Sequence, residues 1–295
     1  MTNRKATFSF QATGTTWQID IETDLPNDQK KKTEVLAKER IALFERAYSR
    51  FRPDSLVAQA SRSAGTYLFP PDAPALFSIY KQLYDATGGA FTPLIGQTLV
   101  DSGYDPAYSL TPKETITTPG KWEDHITYEA PNLIVKTPTQ LDFGAGGKGY
   151  IIDLVGEEIE KFGIGAYTID AGGDIRYRNT GSTPLRVGLE NPQDKGEVIG
   201  IAEVGNQSIC GSSGNRRAWD KYHHIIDPHT LNSPKGILAC WVVAESTIIA
   251  DAISTCLFLV EVEKLDSLFE FDYLILRADY SIRKSEGFHA EMFFA

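Results

Sequence analysis

The stretch Leu141-Asp-Phe-Gly-Ala-Gly-Gly-Lys-Gly-Tyr150 decides between two folds. Gly144, Gly146 and Gly149 satisfy the G-x-G-x-x-G spacing of a Rossmann dinucleotide-binding unit, and Asp170 follows about twenty positions on. The residues just before the glycines read otherwise. Val135-Lys-Thr-Pro-Thr-Gln-Leu141 is polar and broken by Pro138, whereas the first strand of such a unit is a buried apolar run. The motif also lies mid-chain, with no regular βαβ series around it. A Walker-type loop is excluded, because Gly149 stands where Ser or Thr must follow the lysine and Asp142 where the first glycine is needed. The expected fold class is therefore α+β, with mixed or antiparallel sheets and packed helices. A nicotinamide-dependent Rossmann oxidoreductase is the alternative that rests on the glycine spacing.

The same ten residues carry chemistry. Glycine lets a ligand approach the backbone closely, and successive free N–H groups in such a turn form a concave anion site to which Lys148 adds a point charge. The next segment, Tyr150 to Lys161, has apolar residues at helical spacing, so the glycines open a helix whose N-terminus favours phosphate. A pyrophosphate cradle and a ligand-free strand-to-helix turn are the two readings.

Working outward, Thr7 to Glu22 reads as a hairpin around Gly14, with alternation in Trp17-Gln-Ile-Asp-Ile21. Asn27 to Ser49 is helical, with Val35, Leu36, Ile41, Leu43, Phe44 and Tyr48 as its apolar face. Pro74 to Gly88 is a second helix, ended by Gly88-Gly89. Short strands alternate with loops from Trp122 to Leu141. Strands follow at Tyr167–Asp170, Leu185–Leu189, Val198–Val204, Ser208–Cys210, Leu238–Ala244 and Phe271–Arg277, with an apolar helix over Ser246–Val260. No linker, repeat or low-complexity tract divides the chain, so residues 1–295 are expected to form a single domain.

The 295 residues suffice for a substantial core. A net charge of −10 without a Lys/Arg cluster argues against nucleic acid. It also means that a bound pyrophosphate needs local neutralisation, which a carboxylate-held divalent cation provides. The N-terminal residues hold no apolar run of signal-peptide length, and no segment approaches a membrane span. Cys210, Cys240 and Cys256 are odd in number and widely spaced. A reducing, cytoplasmic setting is the simplest expectation, and a chain whose export signal had been removed would read the same.

Two further clusters stand out. Asp251 and Thr255 lie four apart on the apolar helix, hence on one face. A hard cation taking oxygen ligands would satisfy both; the alternative is Asp251 bonding nearby amides. In His224-Ile-Ile-Asp227-Pro228 a strand enters turn chemistry, and His224 is either a general base with a pKa near working pH or a histidine bonded to a strand-end carbonyl. Ala171-Gly-Gly-Asp174-Ile175 is a glycine turn that holds a ligand or closes a corner.

Taken in order, seven blocks resemble the ApbE-type FAD:protein FMN transferases. They are Thr13-Gly14-Thr15, Ser49-Arg-Phe-Arg-Pro-Asp-Ser55, Gly88-Gly-Ala-Phe91, Leu141 to Asp153, Ala171 to Ile175, His224 to Pro228 and Ala250-Asp-Ala-Ile-Ser-Thr255. The resemblance implies an ApbE-like (T-fold-like) α+β architecture with FAD in a cleft between two lobes and Mg²⁺ at its pyrophosphate. It implies transfer of FMN to a Thr or Ser hydroxyl of an acceptor protein, with release of AMP. By position, the metal ligands would be Asp251, Thr255 and the Ala145 carbonyl, with Ser254 at the same site. Contacts to the flavin or adenosine would come from Thr13, Phe51, Ser102, Gly103, Tyr104, Asp142, Lys148 and Ile225, and His224 would be the base. This chain departs from the family pattern at Thr13 (usually Met), Thr92 (usually Asp), Ser102-Gly-Tyr104 (usually Trp-Gly-Phe) and Gly147 (often Ala). Hydrolysis of FAD by water at the same site, and flavin binding without catalysis, are the competing activities.

Overall fold

A computed structural model describes residues 6–22, 25–194 and 196–293. The elements in chain order are β1 (Ala6–Ala12), β2 (Thr15–Ile21), α1 (Asn27–Tyr48), α2 (Leu56–Ala60), β3 (Gly65–Leu68) and α3 (Ala73–Thr87). Next come α4 (Gly96–Asp101), α5 (Trp122–His125), β4 (Ile126–Glu129), β5 (Asn132–Val135), α6 (Gly147–Glu160), β6 (Tyr167–Ala171), β7 (Asp174–Arg178) and β8 (Leu185–Glu190). The chain continues through β9 (Val198–Val204), β10 (Ser208–Ser213), β11 (Ala218–Trp219), β12 (Tyr222–His223), β13 (Ile237–Ala244) and α7 (Thr247–Cys256). It closes with β14 (Phe271–Arg277), β15 (Ile282–Lys284) and β16 (Ala290–Met292).

Eight strands form the central sheet in the order β1-β2-β6-β7-β10-β13-β14-β15, and β16-β9-β8 and β3-β5-β4 form smaller sheets. Every strand pairing among the described residues is antiparallel. This removes the Rossmann alternative, since the strand before the glycines, β5, pairs only within the small β3-β5-β4 sheet and starts no βαβ unit. The α+β expectation holds, with antiparallel rather than mixed pairing.

Strand β13 shows how the layers stack. Cys240, Val242 and Ala244 pack into the core under the helices, while Ala239, Trp241 and Val243 pack into a second core with Leu189, Val204 and Leu274. Alternate side chains point to opposite faces of a strand, so a run that is apolar at every position is covered on both sides. The helices lie on one face of the central sheet and β8, β9 and β16 on the other. Three layers result.

Helix α1 corrects one expectation. Its buried positions are Thr33, Ala37, Ile41, Phe44, Ala47 and Tyr48, a stripe of threes and fours, whereas Val35 and Leu43 are 43 % and 50 % exposed. Two large apolar residues lost to two small ones because the close approach of α6 decides which stripe faces in. Gly88, at φ 63°, ends α3 in the left-handed conformation expected of a glycine cap.

Candidate active site

A cavity of about 570 Å³ opens between the helical layer and the loops that follow β10 and α4, within the size range of small-molecule sites. Its wall takes in Thr13, Phe51, Tyr104, Asp142, Ala145, Lys148, His224, Ile225, Asp251 and Thr255. Ten of the thirteen residues expected at the site therefore meet there, drawn from both ends of the chain.

Helix packing sets the position of Asp251. It lies one turn into α7, whose first amides, Thr247 and Ile248, both donate to the carboxylate of Asp153 on α6 at 2.9 Å. Asp153 is held in turn by Arg176, which also binds Tyr167 Oη and Glu160. Gly149 brings the two helices together: a Cβ there would stand 2.3 Å from the Thr247 carbonyl and 2.7 Å from Asp251 Cβ. Its amide donates to Asp251 Oδ2 at 2.7 Å.

The glycines consequently serve packing more than anion binding. The Gly144 amide donates to Asp142 Oδ1, those of Gly146 and Gly147 to the Phe143 carbonyl, and that of Gly149 to Asp251. The expected row of free N–H groups is largely used up within the protein. Lys148 remains at the cavity, paired with the buried Asp174, whose other oxygen accepts from Gly211.

Charge is concentrated here. Burial first, and then the neighbouring Asp174 carboxylate, push the pKa of Asp251 up to about 8, against the opposing pull of Lys148 and the Gly149 amide. Burial would lower Lys148, but Asp174 and Asp251 outweigh it and raise the ammonium pKa. A buried carboxylate whose ionisation is this costly is what a cation would relieve. Asp251, Thr255 and Ala145 all line this cavity, and a carboxylate, a hydroxyl and a backbone carbonyl are hard oxygen donors of the kind a divalent cation takes. Ser254 is not part of the cavity wall: its hydroxyl donates to the Asp251 backbone carbonyl and pairs with Ser212 Oγ, both at 2.8 Å, one layer behind two residues that do line it.

His224 follows β12, and Nδ1 is buried without a hydrogen-bond partner among the described residues. Burial, with the positive charges of Arg217, His223, Lys148 and Arg216, lowers its pKa to about 3, far from the working-pH value expected. His223 faces away: Nε2 lies 2.9 Å from the Pro234 carbonyl and Nδ1 accepts from the Ile225 amide. Adjacent residues of an extended segment thus divide between cavity and interior.

At the hairpin turn, Thr13 holds φ 49°, unusual for a β-branched residue. Its amide donates to Glu45 Oε1 at 3.1 Å and its hydroxyl accepts from Trp17 Nε1 at 3.0 Å, which fixes it on the wall. Phe51 and Tyr104 form an aromatic wall with Tyr108. Ser102 and Gly103 do not reach it. The Ser102 hydroxyl donates to the Leu99 carbonyl, its own carbonyl accepts from Trp219 Nε1, and a Cβ on Gly103 would strike the Thr111 backbone. Gly172 lends its carbonyl to Arg216 Nη1 at 2.6 Å, so the glycine turn both closes a corner and orients a cation. Tyr108, Arg216 and Arg217 are marked by no sequence pattern, and Arg50 and Asp174 lie inside recognisable blocks that give them no role of their own; Asp142 beside Arg50, Lys148 beside Asp174 and Tyr104 beside Arg217 are distant in the chain.

The ApbE family model matches residues 13–275. The chain belongs to the ApbE family. It is 27 % identical over 276 residues to a protein of Treponema pallidum named FAD:protein FMN transferase, covering 82 % of this chain and 76 % of that one. A Rhodobacter capsulatus protein of the same name is 26 % identical over 260 residues, which span 81 % of this chain and 49 % of the relative. Among solved structures, the Vibrio cholerae flavin transferase ApbE superimposes with a TM-score of 0.80 at 18 % identity over 96 % of each chain. The ApbE protein of Thermotoga maritima does so at 0.79 with 21 % identity, over 96 % of this chain and 97 % of its own. At these identities the structures show the shared fold.

Proposed function

We propose that this ApbE-family chain is a Mg²⁺-dependent FAD:protein FMN transferase, moving FMN from FAD to a Thr or Ser hydroxyl of an acceptor protein and releasing AMP. One observation carries the reading: Asp251, Thr255, Lys148 and His224 converge on a single cavity that also has an aromatic wall. The cavity draws on residues from Thr13 to Leu259, which supports one catalytic domain across the chain.

Asp251, Thr255 and the Ala145 carbonyl would hold the cation. Once bound, Mg²⁺ would offset pyrophosphate charge and make AMP a better leaving group. Lys148 would meet phosphate oxygens as negative charge builds on them. Phe51, Tyr104 and Ile225 would line the ring portion of FAD. A neutral His224 has one unprotonated ring nitrogen, which would take the acceptor proton. The acceptor oxygen then bonds to the FMN phosphorus as the bond to AMP breaks. The low pKa keeps the imidazole neutral before substrate binds, and the incoming phosphates would oppose the cations that depress it, strengthening the base in the complex.

The test is incubation with FAD, Mg²⁺ and a candidate acceptor, read by intact mass and in-gel flavin fluorescence. Acceptor labelling that is lost without Mg²⁺ and in Asp251→Ala supports the reading. FMN and AMP formed without labelling would make the chain an FAD pyrophosphatase. Binding of NAD in preference to FAD would overturn the flavin assignment altogether.

A further inference from the structure

Arg50, just past α1, is a buried cation whose outer donors the protein leaves unmet. Its side chain is 1 % exposed, and Nε donates to Asp142 Oδ2. Nη1 and Nη2 are buried with no hydrogen-bond partner among the described residues. The guanidinium carbon stands 4.2 Å from the Phe51 ring centre and 4.8 Å from that of Tyr104. Ring faces offset a positive charge, but they give the in-plane N–H groups no acceptor. Buried donors without partners are rare in folded proteins, so these two call for an acceptor that the protein's own residues do not supply.

The two rings that cover Arg50 are held differently. Tyr104 is buried, and Arg217 Nη1 donates to its hydroxyl at 2.6 Å. Phe51 is 37 % exposed and stacks on Tyr108, itself half exposed in irregular chain. Phe51 can therefore leave, and the space it vacates is bounded by a fixed aromatic face and a forked donor. Phosphate suits that space poorly. Lys148 and Asp251 share a network of hydrogen bonds and ion pairs with Asp174, Gly149 and Gly211, and among the described residues none of its members is hydrogen-bonded or ion-paired to Arg50.

We propose that Arg50 is a specificity-determining residue, whose Nη1 and Nη2 read the acceptor edge of a heteroaromatic ring that displaces Phe51 and stacks near Tyr104. The edge is a ring carbonyl or ring nitrogen, and a planar guanidinium matches paired in-plane acceptors where an ammonium does not. The inference rests on the FAD reading, and FAD carries two such rings, the flavin and the adenine.

The experiment measures dissociation constants for FAD, FMN and AMP on the full-length chain and on Arg50→Lys, with Mn²⁺ binding as a control and thermal melting as a check of folding. Arg50→Gln, neutral but with a planar amide, takes over if the lysine variant does not fold. FAD should bind roughly tenfold more weakly to the variant, the scale of one charged-donor hydrogen bond. The same loss should appear with FMN or with AMP but not both, which names the ring, while Mn²⁺ binding stays unchanged. FAD affinities within about twofold of the parent would overturn the proposal. Equal losses for FMN, AMP and inorganic pyrophosphate would also do so, by exposing a general charge effect. Failure of the parent chain to bind FAD would instead remove the flavin-transfer reading, an outcome distinct from a binding parent with an indifferent variant.

Discussion

Asp251 reaches the cavity from a helix packed so closely on α6 that only glycine fits at position 149, whereas Phe51 and Tyr108 reach it from irregular chain with over a third of their surface in solvent. One part of the wall is set before any ligand arrives. Its carboxylate accepts from a helix amide, and the helix start is capped by a carboxylate that Arg176 holds. The other part is covered by its own aromatic rings and leaves a buried guanidinium unsatisfied. Phosphoryl transfer needs charged groups placed in advance, because reorganising them during reaction adds to the barrier. Ring recognition can be completed on binding. The contrast predicts that substitutions at the preset part act on rate, or on stability where they force the helices apart, and those at the covered part act on affinity.

The largest effect is expected at Asp251. Asp251→Ala should lower Mg²⁺-dependent transfer by about 10³-fold while the far-ultraviolet circular dichroism spectrum stays that of the parent. A variant with full activity would show that the cation, if needed, sits elsewhere. Next is His224: His224→Ala should slow FMN transfer by about 10²-fold with little change in FAD affinity. His223→Ala should leave the rate nearly unchanged and lower stability instead, since the ring is hydrogen-bonded inside the protein. The reverse ranking in single-turnover assays would mean that His223 is the base.

Gly149→Ala tests the packing directly. Its Cβ would collide with the Thr247 carbonyl, so the variant should lose about 1–3 kcal/mol, the usual range for overpacking, and bind Mn²⁺ more weakly. Denaturant midpoints like the parent's would show that the helices can move apart at no cost, and that the site is not preset.

The pH dependence sharpens the comparison further. The His224 pKa is lowered to about 3, so the free protein keeps this imidazole neutral well below the ordinary histidine range. The profile of kcat/KM should then show no acid limb from His224 near pH 6.5, the ordinary histidine value. That of kcat should show a limb at higher pH, because substrate phosphates favour the charged form. For stability the sign is that of a group protonated more readily when unfolded. Its contribution is lost as pH falls from the ordinary histidine range toward about 3. Melting of His224→Gln should therefore be less sensitive to acid than the parent. The smallest effect is expected for Ser254→Ala, about 1 kcal/mol from two lost hydrogen bonds, with Mg²⁺ dependence intact. Loss of that dependence would bring Ser254 back into the cation site.

Local pattern carried much of this protein. The hairpin around Gly14, the glycine stop of α3, the strands Val198–Val204 and Phe271–Arg277, and the four-residue spacing of Asp251 and Thr255 all follow from periodicity and turn chemistry, which act over a few residues. The polar segment before the glycines was enough to disfavour a parallel nucleotide-binding sheet. What the pattern does not hold is which neighbour arrives from elsewhere in the chain. Tertiary structure decided that Gly149 serves the contact of α6 with α7, that Ser254 turns toward Ser212 and that Ala37 rather than Val35 faces the core. It also decided that Asp174 pairs with Lys148 and that Arg50 lies buried in the corner of two rings with its outer donors free. Burial and charge depend on three-dimensional surroundings, so the pKa of His224 and the costly ionisation of Asp251 have no signature in residue order.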